Sequence, residues 1–202
     1  MKLDKTLRLE YFLESPFAIS KRYLQLRLDS DIYQYGETPM RTLERIAQRL
    51  KLSSDDHVFE LGAGTGRCAF WLACLHHCRV TGIERIALFA DFANSVVRNY
   101  GLQDQVQFIH GDFLEKNLSQ ATVIYLYGTK MSDAEIEVFI LNLRNTTSGT
   151  RIVTVSYALE EIVAISSDPR IQIMSFEITD AFEAEFFWGK AQVFIQKLRS
   201  RS

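Results

Sequence analysis

The sequence predicts a doubly wound α/β domain, and three observations carry that prediction. Short apolar runs (HVFELG, CRVTGIE, VQFIHG, ATVIYLY and RIVTVSY) alternate with helical segments between residues 53 and 157. The runs lack polar alternation, which suits strands buried on both faces, as in a parallel sheet sandwiched by helices. Directly after the first run, Glu60-Leu61-Gly62-Ala63-Gly64-Thr65-Gly66-Arg67 sets three glycines on alternate positions, a turn bared of side chains for a bound group.

The elements follow in order. A helical-period stretch runs from Lys5 to Leu13. Ser15-Pro16 then starts a second helix to about Leu28, because a serine N-cap satisfies an amide and proline at the first helical position has none to lose. Its apolar positions are Ile19, Tyr23, Leu24 and Leu26, with Lys21, Arg22 and Arg27 as a solvated face. After the non-periodic DSDIYQYGE, Thr38-Pro39 opens a helix through about Leu52 that sets Leu43, Ile46, Ala47 and Leu50 on one side. Residues 1–51 form a helical N-terminal extension and residues 52–202 the domain. Within the domain, helices are expected over Arg67 to His76, Ile86 to Tyr100 and Ser132 to Leu143. Ile171 to Ile178 and Glu185 to Lys197 read as two strands joined by TDAFEA, an antiparallel hairpin at the sheet edge, with Gly189 as a bulge. The total is seven strands, the last antiparallel.

Composition narrows the function classes. The 202 residues carry a formal net charge of −2, 47% hydrophobic and 24% charged residues, so there is no polycation to hold nucleic acid non-specifically. The opening MKLDKTLRLEYFLES is too charged for a signal peptide, and no run of about 18 apolar residues could span a membrane. A cytoplasmic protein is expected. Cys68, Cys74 and Cys78 lie near His76 and His77, but the six-residue step from Cys68 to Cys74 and the want of a second ligand pair favour reduced thiols on a buried helix face. No metal is predicted.

The glycine turn admits three ligand classes. A nucleotide triphosphate loop needs Lys and a hydroxyl residue where Arg67-Cys68 stand, and a dinucleotide turn spaces its glycines G-x-G-x-x-G, whereas Gly66 comes one position early. The dinucleotide oxidoreductase is therefore the weaker reading beside S-adenosylmethionine, which carries no phosphate. E-L-G-A-G-T-G resembles the first motif of class I S-adenosylmethionine-dependent methyltransferases. That resemblance implies the Rossmann-like seven-stranded sheet of that class, with Glu60 facing the cofactor ammonium and Gly62, Ala63, Gly64, Thr65 and Gly66 under its methionine tail. Glu84, with Arg85 beside it, ends the second strand where a carboxylate accepts both ribose hydroxyls. Gly111-Asp112-Phe113 follows the third strand, where Asp112 would accept the adenine amino group and Phe113 would cover the ring. Each acid could instead be a helix N-cap.

Tyr35-Gly36-Glu37-Thr38 resembles the Tyr-Gly-Glu-Thr loop of the non-SET histone-lysine methyltransferases, the disruptor-of-telomeric-silencing family. The resemblance implies a lid in which Tyr35 and Thr38 bond the methionine carboxylate and Glu37 stands near the ammonium. The chain departs from that family after the fourth strand, where Tyr125-Leu126-Tyr127-Gly128 replaces paired asparagines and phenylalanine. Nor does it carry the Asn-Pro-Pro-Tyr of amide and adenine methylation. Tyr127, then Tyr125, are the candidate catalytic residues, lining a channel that desolvates and orients an amine. Trp188 and Phe17, as lone aromatics, are expected in the core. The expected activity is methyl transfer to an amine, a protein lysine side chain. The alternatives are a small-molecule N- or O-methyltransferase and a non-catalytic S-adenosylmethionine-binding partner protein.

Overall fold

The computed structural model describes residues 5–7, 11, 14–27 and 36–199. Helix α1 (Pro16–Arg27) begins as expected, with the Ser15 hydroxyl accepting the Ala18 amide at 3.3 Å. Helix α2 spans Met40–Leu50. The domain continues as β1 (His57–Leu61), α3 (Arg67–His76), β2 (Arg79–Glu84), α4 (Ala87–Tyr100), β3 (Val106–His110), β4 (Val123–Leu126), α5 (Asp133–Asn142), β5 (Arg151–Val155), α6 (Leu159–Ile165), α7 (Pro169–Gln172), β6 (Phe176–Phe186) and β7 (Gly189–Leu198).

The strand order is β3-β2-β1-β4-β5-β7-β6, with β1 to β5 parallel and β7 antiparallel to both β5 and β6. The expected class of sheet is present. Alternate residues of the buried strands feed two cores. Val58, Val80, Tyr125 and Val153 face α2, α3 and α4, whereas Phe59, Ile83, Ile124 and Leu126 face α5 to α7. Tyr125 and Tyr127, two positions apart, therefore share a side. Helix α2 buries Leu43, Ile46, Ala47 and Leu50, the four positions its period predicts.

Several expectations are corrected. Pro39, not Thr38, caps α2, and the Thr38 hydroxyl bonds Tyr125 instead. Leu26 is 80% exposed. Two short helices, α6 and α7, intervene before the last hairpin. TDAFEA lies inside β6, and the turn falls at Phe187-Trp188. The bulge sits between Ile178 and Asp180, while Gly189 opens β7 with φ 136°. The expected first helix is described only at residues 5–7, which are helical. Cys68 and Cys78 are buried and all three thiols are free. Among the described residues no helix is long and apolar enough to cross a membrane.

Two glycines let the first turn close on β3. A Cβ on Gly66 would stand 2.4 Å from the Phe108 ring, and one on Gly82 would stand 2.6 Å from that ring and 2.9 Å from Ala63. Gly82→Ala overpacks this contact without a φ penalty and should destabilise the fold by about 1–3 kcal/mol in urea unfolding, with partial recovery on adding Phe108→Leu.

Candidate functional site

The strand order reverses between β1 and β4, and a crevice opens there beyond the carboxyl ends of the parallel strands. The glycine turn forms its floor. Gly62 and Ala63 donate their amides to Ile83 O at 2.9 and 3.0 Å. Gly64 donates to Glu84 Oε2 at 2.7 Å, and Ile86 to Glu84 Oε1 at 2.8 Å. One carboxylate thus ties the first strand-to-helix turn to the second. Gly62 has φ 76° and a Cβ there would meet nothing within 4 Å, so the turn presents bare backbone to open space.

Two adjoining spaces lie over this floor. The larger, about 1130 Å³ counted out to solvent, is bounded by Glu84, Arg85 and Ile86 on one side, Asp112 and Phe113 on another, and Gly128–Met131 after β4. Ser20, Tyr23 and Leu24 of α1 cover it, and the Tyr23 hydroxyl donates to Arg85 O at 3.3 Å. The smaller, about 360 Å³, lies among Glu37, Thr38, Glu60, Thr65, Arg67 and Tyr125. Tyr127 borders both.

Strand register brings Glu60 and Tyr125 side by side across β1 and β4. Glu60 is buried, its Oε2 has no hydrogen-bond partner, and burial pushes its carboxyl up to about 8. The charge of Glu84 adds to the rise, while hydrogen bonds from the Cys68 thiol and Ala69 amide oppose it. Burial also raises Glu84, against the amides of Ile86, Gly64 and Arg85. Tyr125 meets Thr38 Oγ1 at 2.5 Å, and Arg67 Nη1 pairs with Glu37 Oε2 at 3.2 Å, fastening residues 37–38 across the small space.

The sequence profile of the ANTKMT methyltransferase domain matches residues 60–166, more than half of the chain. The chain belongs to the ANTKMT methyltransferase domain family. It is of the class I S-adenosylmethionine-dependent methyltransferase type. A protein-lysine N-methyltransferase of Saccharolobus islandicus is 28% identical over 94 residues, 46% of this chain and 58% of that protein. A sterol 24-C-methyltransferase of Eremothecium gossypii is 32% identical over 82 residues, 41% of this chain and 22% of that protein. The chain thus spans less than two thirds of either relative. The same fold is seen in an RNA methyltransferase from Salinibacter ruber solved with S-adenosyl-L-homocysteine (TM-score 0.64, 21% identity, 82% of this chain and 95% of that one). It recurs in the tRNA methyltransferase TrmK of B. subtilis (TM-score 0.62, 15% identity, 83% of this chain and 68% of that one).

Most residues expected to hold the cofactor of this methyltransferase domain border the two spaces: Glu37, Thr38 and Glu60; Gly62 to Thr65; Glu84, Arg85, Asp112 and Phe113. Tyr35 lies outside the described residues. Gly66 and Gly111 border neither space. Gly66 caps α3 against Phe108, and the Gly111 amide donates to Glu84 O at 2.9 Å. Asp112 does act as a cap, accepting the Leu114 amide through Oδ1 at 2.9 Å, while its side chain also borders the cleft. Tyr125 is reached only from the smaller space, with its hydroxyl on Thr38. Trp188 and Phe17 are 53% and 57% exposed rather than in the core. Sequence reasoning gave one wall to the N-terminal extension, where α1 lies, but missed the segment Gly128–Met131 as lining, although residues that leave a strand beside the switch point are expected in the crevice. Among the described residues no three His, Cys, Asp or Glu side chains are grouped to share a metal ion.

The donor set fits S-adenosylmethionine. An unpartnered, buried carboxyl oxygen at Glu60 matches an ammonium, bare backbone at Gly62 leaves room for a chain, and the acids ending β2 and β3 match hydroxyl and amino donors. With its carboxyl raised to about 8, Glu60 is protonated at neutral pH. The unfolded chain releases that proton near the ordinary 4.5 and the folded chain near 8, so Glu60 favours folding below about pH 4.5 and loses that contribution as pH rises toward 8. In ligand-free urea unfolding across this window, Glu60→Gln should flatten the decline in stability seen with the native residue. Equal slopes would mean that Glu60 is already ionised.

Proposed function

We propose that this domain transfers a methyl group from S-adenosylmethionine to an amine, a protein lysine side chain. The observation that carries the reading is the unpartnered Glu60 oxygen beside a bare glycine turn, at one end of a cleft whose other walls hold Glu84 and Asp112. When bound, the cofactor supplies an electrophilic methyl group on a sulfonium. Glu60 faces the ammonium, with Thr38 and Arg67 near the carboxylate. Glu84 accepts the ribose hydroxyls on lone pairs its backbone bonds leave over. Asp112 takes the adenine amino group and Phe113 covers the ring. Residues 1–51 act as the lid, with α1 and Gly36–Thr38 excluding water.

For the acceptor, Tyr127 borders both spaces, as do Gly36, Leu61, Gly62 and Gly64, and it is half-buried. Its ring shields an amine from water, which lowers the amine's pKa toward the neutral, nucleophilic form, and alignment then contributes most of the rate. The Saccharolobus relative supports lysine as acceptor, and the chain's charge of −2 is poorly suited to RNA. Calorimetry with S-adenosylhomocysteine tests the cofactor half: Asp112→Ala should weaken binding by about 1–3 kcal/mol, and Glu84→Gln should weaken it too. Transfer of tritiated methyl to a lysine-centred peptide library tests the acceptor half. Product binding without any transfer would leave a cofactor-binding protein and sink the lysine assignment.

A further inference from the structure

The tip of the β6–β7 hairpin is built unlike an ordinary turn. It carries Phe186-Phe187-Trp188, of which only Phe186 is buried, while Phe187 is 68% and Trp188 53% exposed. An indole left in water at a turn contributes little to the core, yet this one is held. Trp188 Nε1 donates to the Tyr127 hydroxyl at 2.5 Å, and the indole stacks on Phe186 with ring planes 11° apart and centroids at 5.7 Å. Phe186 in turn meets the Tyr127 ring edge-on at 5.5 Å. Gly36 leaves room for that ring, since a Cβ there would stand 3.2 Å from Tyr127 Cε1. The tyrosine at the rim thus packs against Gly36 and against the hairpin tip.

We propose that Trp188 is the positioning residue for methyl transfer, acting through Tyr127. The inference rests on the amine reading above. An indole N–H can only donate, so the tyrosine oxygen must be the acceptor in this pair. That occupies one of its lone pairs and fixes both the ring and the hydroxyl at the cleft rim. The second lone pair is left to accept an N–H from a neutral amine, which turns the amine's own lone pair away from the tyrosine and leaves it free to attack. Phe186 holds the indole plane, and Phe187 stays outside on the face an incoming chain would meet. Trp188 touches no reacting atom in this arrangement.

The test compares Trp188→Phe, which keeps one aromatic ring for the stack and removes the N–H together with the second ring, with Tyr127→Phe and the double variant. Two tryptophans, Trp71 and Trp188, give two indole resonances in a nitrogen-15 spectrum, and the Trp188 signal is assigned by its loss in Trp188→Phe. Tyr127→Phe should shift that signal upfield in the ligand-free protein; an unmoved signal overturns the proposal. With tritiated S-adenosylmethionine and the lysine-centred peptide library, Trp188→Phe should lower kcat about 2- to 10-fold. S-adenosylhomocysteine affinity should stay unchanged, and the double variant should be no slower than Tyr127→Phe alone. Unchanged kcat, or losses that simply multiply, overturn the positioning role while leaving the amine reading in place. Binding of S-adenosylhomocysteine with no transfer by the native protein overturns the amine reading and this proposal together.

Discussion

The site depends on one carboxylate. Glu84 ends β2, and its two oxygens hold the amides of Gly64 and Ile86, one in each of the turns that leave β1 and β2. These are charge-assisted bonds at a nearly dry position, and they set the glycine turn relative to the start of α4. The Gly111 amide bonds the carbonyl of the same residue, which brings the end of β3 into the arrangement. Three strand ends that a parallel sheet would leave as independent loops are thereby fixed to one residue. Without it, Gly62 and Gly64, both at positive φ, would have little to select one turn conformation from many.

This explains which parts were legible in the sequence. The buried strands announce themselves as unbroken apolar runs, and the glycine turn and the acids at the ends of β2 and β3 follow from where those runs stop. The C-terminal hairpin was misplaced for a physical reason. Thr179-Asp180 looks like a turn, but the chain absorbs these polar residues at a bulge within a half-exposed edge strand, where Phe182, Ala184 and Phe186 point inward alternately. The true turn is aromatic, and composition offers no rule for that. Helices α6 and α7, seven and four residues long, are too short to show a helical period. The tyrosines after β4 could be placed, but the pairing of Tyr127 with Trp188, 61 positions away, is set by the sheet order alone.

The C-terminal hairpin and helix α2 meet along β6. Thr42 Oγ1 donates to Glu185 O at 2.6 Å and Arg45 to Glu183 O at 2.7 Å, so α2 is fastened along β6. Arg45 and Arg49 also lie over the Phe182 ring at 4.5 and 4.3 Å. These bonds carry residues 36–38 to the mouth of the site, where Thr38 reaches Tyr125 and Glu37 reaches Arg67. Residues 36–38, one wall of the small space, are thus held in place through the bonds of α2 to the C-terminal sheet edge.

Charge distinguishes the two buried carboxyls of the site. The charge of Glu84 raises Glu60 at a site with little water, where two ionised carboxylates would repel in a low dielectric. Glu84 has three backbone amides to favour its charged form, whereas Glu60 has one oxygen without any partner. Glu60, raised to about 8, therefore holds its proton at neutral pH. A cation entering the small space changes that balance: it supplies the partner Glu60 lacks, so binding of the cation and release of the proton become one event. The same carboxyl is then the group that favours a charged ligand over a neutral one of similar shape.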